Sequence, residues 1–378
     1  MSRADDVLPL FDLARQWPDL REEALETFER VASVGAFSLG DELTRFEAEY
    51  ADYCGTRHCV GVANGTVAIE LALRAVGAGP GSEVVTVAHT FVATVEAIAA
   101  TGARPVLVDI DPRTRCIDVG ALRSAIGERT AAVVPVHLYG RPAPMDDVRA
   151  ICADANLPVI EDAAQAHGAE LGGRRTGALA TAGAFSFYPT KNLGAMGDAG
   201  AVVTDDEGVA ATVRSLRHHG SVPEDANRHE LIGRTDRLDN LQAALLRLKL
   251  RRLDVQNDDR RLAAERYRER LAGAGVGLPP EDPPGGRSVY HLFVVEVPDR
   301  DAVLERLRAS GIAAGVHYPT PVHLQPAWRH LGLAEGDLPA TEHAARGALS
   351  LPIFPGIAEQ EIDRVCDTLR RALPDRRG

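Results

Sequence analysis

The chain has 378 residues, a formal net charge of −12, 45% hydrophobic and 25% charged residues, a composition ordinary for a globular protein with a large core. No basic stripe stands apart from acidic residues, so nucleic acid is not an expected partner, and no stretch nears the ~18 apolar residues of a membrane span. Five scattered cysteines (Cys54, Cys59, Cys116, Cys152, Cys366) make no C-x-x-C pair, which suits reduced thiols in a cytoplasm rather than a disulfide framework or a zinc site.

Residues 1–20 read as an irregular arm with acids where a signal peptide needs an apolar run. Helical spacing follows in 22–34 and 44–54. A strand–helix rhythm then sets in: strands at 59–62, 84–87, 105–109, 132–136 and 158–161 alternate with helices at 67–76, 92–100, 119–126 and 145–155. Strands apolar on both faces, alternating with helices, predict a parallel sheet covered on both sides, with functional groups at the carboxyl ends of the strands. Two further strands, 184–187 and 201–204, flank a turn carrying Lys191. Leu238, Leu241, Leu245, Leu248 and Leu253 predict one long Arg-rich helix running toward Arg270, and PPEDPPGG at 279–286 is the clearest linker-like break. A strand at 289–297 and helices at 301–310 and 362–373 then suggest a smaller α+β domain. The expected division is an arm at 1–20, a large domain at 21–245 and a small domain at 246–378 that includes the long connecting helix.

Lys191 is unusual within its own chain. Of 42 lysines and arginines only Lys191 and Lys249 are lysine, leaving 40 arginines. A lysine kept under that bias suggests work a guanidinium cannot do, since an amine can lose its proton and add to a carbonyl; drift is the plain alternative. A P-loop is excluded, because no G-x-x-x-x-G-K-[ST] occurs, and Gly77-Ala78-Gly79-Pro80-Gly81 precedes a strand rather than following one. No H-E-x-x-H metal spacing is present either.

Four loops at strand ends remain. Asn64-Gly65-Thr66 opens a helix and offers unpaired N–H groups and a hydroxyl to an anion, or else a simple N-cap. His89-Thr90-Phe91 follows a strand and places an aromatic ring at the cleft, or in the core. Glu161-Asp162, followed by Gln165 and His167, ends an apolar strand, and one of those acids should face a cation, because burying an unpaired charge costs several kcal/mol. Ser186 precedes Lys191 and adds a hydroxyl. An amine, an acid, a phosphate cup and an aromatic plate form the set that pyridoxal 5′-phosphate requires.

In NGTVAIELAL, HTFVAT, GARPVLVDID, EDAAQAHGA, FSFYPTKNLGAMGDAGAV, RLDNLQAALLRLKL, HYPTPVHLQPAW and LSLPIFPG, the chain resembles the nucleotide-sugar aminotransferases of the DegT/DnrJ/StrS type over nearly its whole length. The resemblance implies fold type I: a large domain with a mixed, mostly parallel seven-stranded sheet flanked by helices, plus a smaller C-terminal α+β domain. It implies pyridoxal 5′-phosphate as cofactor, with Lys191 matching the Schiff-base lysine, Asp162 the partner of the pyridine nitrogen and Gln165 the amide near the ring hydroxyl. Gly65, Thr66 and Ser186 match phosphate ligands, and Phe91 the stacking ring. Tyr188, His317, Tyr318 and His323 are matched to substrate contacts. Family members are homodimers with composite sites, completed by an Asn in a G-x-N-x-R segment; here Gly233-Arg234-Thr235-Asp236-Arg237 places the shorter hydroxyl of Thr235 at that position.

The implied reaction is transfer of an amino group from an amino acid, glutamate in this reading, to a keto-sugar nucleotide, with a 3-keto sugar favoured by the H-Y-P-x-P-x-H-L-Q-P wording. A cyclitol or other cyclic ketone is the alternative acceptor. Dehydratase relatives carry a histidine in place of the lysine, so Lys191 argues against that class, and a non-catalytic regulator has no need of the amine.

Overall fold

A computed structural model of the chain describes residues 7–222 and 225–374; the first six residues of the expected arm lie outside that range. The arm is shorter than expected, because α1 (Trp17–Val34) begins at Trp17, with Pro18 supplying the fixed φ suited to a first turn. α2 (Asp41–Cys54) follows. The strand–helix series is β1 (His58–Val62), α3 (Gly65–Ala75), β2 (Glu83–Val87), α4 (Ala93–Ala100), β3 (Arg104–Val108), α5 (Val119–Ala125), β4 (Thr130–Val134), α6 (Met145–Asp154) and β5 (Ile160–Asp162). Then come β6 (Ala182–Ser186), β7 (Gly200–Thr204) and α7 (Glu207–Leu216).

These seven strands make one mixed sheet in the order β3-β2-β4-β5-β6-β7-β1. Its two halves, of four and three strands, are joined by parallel pairing of Val133 with Val159 and Val136 with Asp162. β2 pairs in parallel with β3 and β4, and β5 with β6, whereas β7 runs antiparallel to both β6 and β1. With two antiparallel steps between them, β1 and β6 point the same way. The segments leaving β1, β2, β4, β5 and β6 therefore emerge at one edge. Both faces are buried: Val60, Ala132, Ile160, Ala184 and Val202 pack beneath α3, α4 and α7, while Phe185, Ala201 and Val203 meet Phe46, Tyr50 and Leu246 on the other side.

The expected single long helix is two helices, α8 (Asn240–Leu250) and α9 (Leu253–Leu271). The leucine spacing continues across the break, but the burial does not stay on one body. Ala243, Leu246 and Leu253 face the sheet's core, whereas Ala263, Ala264, Tyr267 and Leu271 face a second core. A straight rod cannot present one stripe to both, and the turn at Arg251–Arg252 redirects it. The Arg252 side chain donates to the Asp19 carbonyl at 2.9 Å and to Glu23 at 2.7 Å, tying the turn to α1.

That second core also takes residues from β8 (Phe293–Glu296), α10 (Arg300–Ala309), β9 (Ala348–Leu351) and α11 (Glu359–Ala372). The strand expected at 289–297 is confined to β8: Tyr290 sits at φ +45°, and the Val289 amide donates to the Gly140 carbonyl at 2.9 Å, so residues 289–292 leave the ladder and run toward the large sheet.

Candidate active site

At the carboxyl edge of the sheet lies a cavity of about 430 Å³ lined by Gly65, Thr66, Phe91, Asp162, Gln165, Ser186, Tyr188, Lys191, His317 and Tyr318. Ten of the twelve residues singled out from the sequence thus come together from five separate segments. The chain also brings Phe11, Thr90, Thr94, Asp198 and His291 to the same walls.

β1 delivers the first group. Asn64 is extended and its Oδ1 accepts from Val67 N at 2.9 Å, so α3 starts with an Asx cap. The amides of Gly65 and Thr66 have no acceptor among the described residues, which leaves a positive helix terminus facing the cavity. A Cβ on Gly65 would lie 2.5 Å from Ser186 Cβ, so only glycine lets the end of β1 and the end of β6 approach this closely. Two free amides and the hydroxyls of Thr66 and Ser186 make a cup of the size and polarity of a phosphate.

β5 divides its two acids. Glu161 turns away from the cavity and is fully buried. It accepts from Gly177 N at 2.7 Å, Leu179 N at 2.7 Å and Ala180 N at 2.9 Å, with His137 Nε2 at 2.9 Å. Asp162 faces the cavity and is only 6% exposed. Thr94 Oγ1 donates to its Oδ2 at 2.7 Å and Ala164 N to its Oδ1 at 3.2 Å. Burial raises the Asp162 pKa, while the Thr94 and Ala164 hydrogen bonds and the charge of Lys191 act the other way. Thr94, held in turn by Thr90 Oγ1 at 2.8 Å, is a functional residue that sequence reasoning missed; it sits 68 positions from the carboxylate it supports.

Lys191 stands in the turn between β6 and β7. Burial lowers its amine to about 8, with Asp162 pulling the other way. An ordinary lysine titrates near 10.4, so this amine is neutral in a far larger fraction of molecules near neutrality. Gln165 is pinned at both ends: Tyr139 N donates to its Oε1 at 2.8 Å and its Nε2 donates to Tyr318 Oη at 3.0 Å. Phe91, 51% exposed, tilts against Tyr318 with centroids 5.6 Å apart. His317 is held by Ser350 Oγ at 2.8 Å and is lowered to about 4 by burial and by Lys191, so it is neutral at working pH. Phe11 stacks on His291 at 5.7 Å; nothing in the sequence of an irregular arm marks that residue as a wall of the cavity.

Two expected site residues are placed elsewhere. His323 is buried beside Glu342, with Nε2 3.2 Å from Oε1, and does not line the cavity; the packing of its 3-10 turn claims the ring that the sequence assigned to substrate. Thr235 is exposed and does not line the cavity, its hydroxyl 2.9 Å from His219 Nε2, on a strap where Ala63 N donates to Asp236 O at 2.9 Å. No group of three or more metal-ligating side chains suited to an ion occurs among the described residues, and no described helix is long and apolar enough to cross a membrane.

A mixed seven-stranded sheet whose loops converge on a depressed lysine, a buried carboxylate and a phosphate-sized cup defines a fold type I aminotransferase dependent on pyridoxal 5′-phosphate. The chain belongs to the DegT/DnrJ/EryC1/StrS aminotransferase family, whose model matches residues 18–370. It is 46% identical to the dTDP-3-amino-3,4,6-trideoxy-α-D-glucose transaminase of Streptomyces venezuelae, over 98% of this chain and 97% of that one. It is 43% identical to the UDP-N-acetyl-3-dehydro-α-D-glucosamine 3-aminotransferase of Acidithiobacillus ferrooxidans, over 97% and 98% of the two chains. Among solved structures, S. venezuelae DesV in complex with a ketimine intermediate superposes with a TM-score of 0.94 at 46% identity, covering 97% of this chain and 98% of that one.

Proposed function

We propose that this protein transfers an amino group from an amino-acid donor, glutamate in our reading, to a 3-keto sugar carried on a nucleotide, and that it works as a homodimer with composite sites. The observation that carries the reading is the pairing of a half-buried amine, depressed to about 8, with a buried carboxylate across one cavity beside a glycine-walled anion cup. The activities for which the S. venezuelae and A. ferrooxidans relatives are named, both at position 3 of a nucleotide-linked sugar, support the choice of acceptor.

Bound pyridoxal 5′-phosphate supplies an aldehyde that takes up and passes on an amino group, and a ring that withdraws electrons. The chain's own residues do the rest. The amides of Gly65 and Thr66, with the hydroxyls of Thr66 and Ser186, hold the phosphate. Asp162, whose ionised form is favoured by the hydrogen bonds of Thr94 and Ala164 against its burial, would hold a proton on the ring nitrogen. Gln165 would meet the ring hydroxyl, and the ring of Phe91 would stack on the cofactor. Lys191 Nζ would be the group that holds the aldehyde, and its neutral amine would take the proton from the donor's α-carbon and later deliver one to the sugar carbon being aminated. Phe91, Tyr188 and Tyr318 narrow the mouth and keep water off that proton. Thr235, exposed in the single chain, is left to reach a neighbour's site.

The test uses the protein loaded with cofactor. A visible absorption band that disappears on borohydride treatment, and release of keto acid from glutamate in the presence of 3-keto but not 4-keto sugar nucleotides, are the expected results. Lys191→Ala should bind cofactor without the borohydride-sensitive band and should not turn over; turnover of that variant at the wild-type rate would overturn the assignment. Mixing two inactive site variants should restore activity if sites are shared across the dimer, and failure to restore any would remove the composite site.

A further inference from the structure

The two lysines of this chain meet at one loop. Lys191 lies in the turn at 188–199, and Lys249 lies beneath it on α8. Lys249 is 9% exposed, its amine donates to the Gly194 carbonyl, and no carboxylate lies within ion-pairing range of it among the described residues. A buried ammonium without a counter-charge is costly, so a purely structural role would be met more cheaply by leucine or methionine. In a chain that writes arginine 40 times out of 42, an amine retained at this second place calls for a physical account.

Geometry provides one. Gly194 folds back on the start of the loop so closely that a Cβ there would lie 2.3 Å from the Pro189 carbonyl oxygen. The loop is then held from α8 at two points. Gln242 accepts from Met196 N at 2.8 Å and donates to Met196 O at 3.2 Å. Lys249, seven residues and about two helical turns further along the same face, holds Gly194 O. From α9, Asn257 accepts from Asn192 Nδ2 at 2.8 Å. Asn192 is the residue after Lys191, so the stretch that follows the reactive amine is tied to α8 and α9 at three points, through the Asn192 side chain and the backbone of Gly194 and Met196. The one acceptor for this buried amine among the described residues is the Gly194 carbonyl, whereas a planar guanidinium brings five N–H groups that would each need a partner.

We propose that Lys249 is a positioning residue for Lys191: by holding the Gly194 carbonyl it fixes the loop backbone, so that the reactive amine leaves and returns to one place opposite Asp162 in every cycle. The inference rests on the reading of Lys191 as the reactive amine, and the two are separable by experiment. The purified, cofactor-free Lys249→Met variant is compared with wild type by amide hydrogen exchange and mass spectrometry. Peptides covering 192–197 are expected to exchange about tenfold faster, with peptides of α8 and β7 unchanged. In the loaded enzyme kcat should fall about tenfold while KM for donor and acceptor stays within about twofold, since misplacement of a bound group costs rate rather than binding. Lys249→Gln, which keeps a donor on a shorter arm, should recover part of the protection and part of kcat.

Unchanged exchange at 192–197 would overturn the proposal, as would faster exchange spread equally over α8 and the sheet, or a change in KM alone. If Lys249→Met does not fold, Lys249→Gln is read by the same criteria, and failure of both to fold would show Lys249 to be structural only. A wild-type protein with no borohydride-trapped adduct on Lys191 would instead remove the reading of Lys191 and leave the exchange result standing.

Discussion

Thr94→Val replaces a hydroxyl by a methyl of nearly the same volume, in a position where that hydroxyl donates to Asp162 Oδ2 at 2.7 Å inside a buried site. The variant leaves Asp162 with one backbone donor, Ala164 N at 3.2 Å, and deprives Thr90 Oγ1 of its 2.8 Å partner. A hydrogen bond to a charged group contributes about 1.5–3 kcal/mol. At 1.36 kcal/mol per pH unit its loss should raise the Asp162 pKa by about one to two units, in the direction burial already pushes it. In the proposed function Asp162 must be ionised to hold the ring proton, and its ionisation is lost as pH falls through its pKa; raising that pKa moves the loss to higher pH. The assay is kcat/KM against pH with donor and acceptor, alongside thermal unfolding. The acidic limb should shift upward by about one to two units with activity recovered on the alkaline side. An acidic limb that stays in place while the melting temperature falls would refute the reasoning and reduce Thr94 to packing.

Gly65→Ala places a methyl 2.5 Å from Ser186 Cβ and forces the two strand ends apart; affinity for pyridoxal 5′-phosphate should drop at least about tenfold by fluorescence titration, with the fold intact by circular dichroism. Glu161→Gln puts an amide where three backbone N–H groups converge and should cost roughly 2–3 kcal/mol in urea unfolding, with no change in the position of the cofactor's visible band. Lys249, lowered to about 8 from 10.5 by burial, binds fewer protons folded than unfolded in that window. Stability of wild type relative to Lys249→Met should therefore rise from about pH 8 to 10.5, by at most about 3 kcal/mol, and a flat difference across that range would contradict the burial of the amine.

Much of the site could be read from the chain because its chemistry sits at strand ends, where a polar residue interrupts an apolar run. Asp162 after Val159-Ile160, Ser186 after Ala184-Phe185 and the Asn64-Gly65-Thr66 turn after Val60-Gly61-Val62 all announce themselves in this way. Lys191 stood out against a background of arginine. What could not be read depends on distance in sequence. Thr94 supports a carboxylate far along the chain, Phe11 reaches the cavity because the arm folds back over His291, and the division between Glu161 and Asp162 is set by the 177–180 amides that capture the first of them. The break at Arg251–Arg252 was hidden by leucines that keep helical spacing across it while facing two different cores. His323 misled because a histidine in a loop is equally suited to a carboxylate within its own body, here Glu342.

The scarcity of lysine has a practical side. Apart from the chain terminus, amine-selective acylating or aldehyde reagents meet just two side chains in this protein, and one of them, on α8, is shut beneath a loop with its nitrogen committed to a carbonyl. Labelling stoichiometry then becomes a nearly background-free gauge of cleft occupancy: cofactor or sugar nucleotide should protect a single site, and the protected fraction at each concentration gives an isotherm without any turnover. The same arithmetic favours oriented attachment, since a resin bearing carbonyl groups would capture the folded chain at its cleft or its terminus and nowhere else.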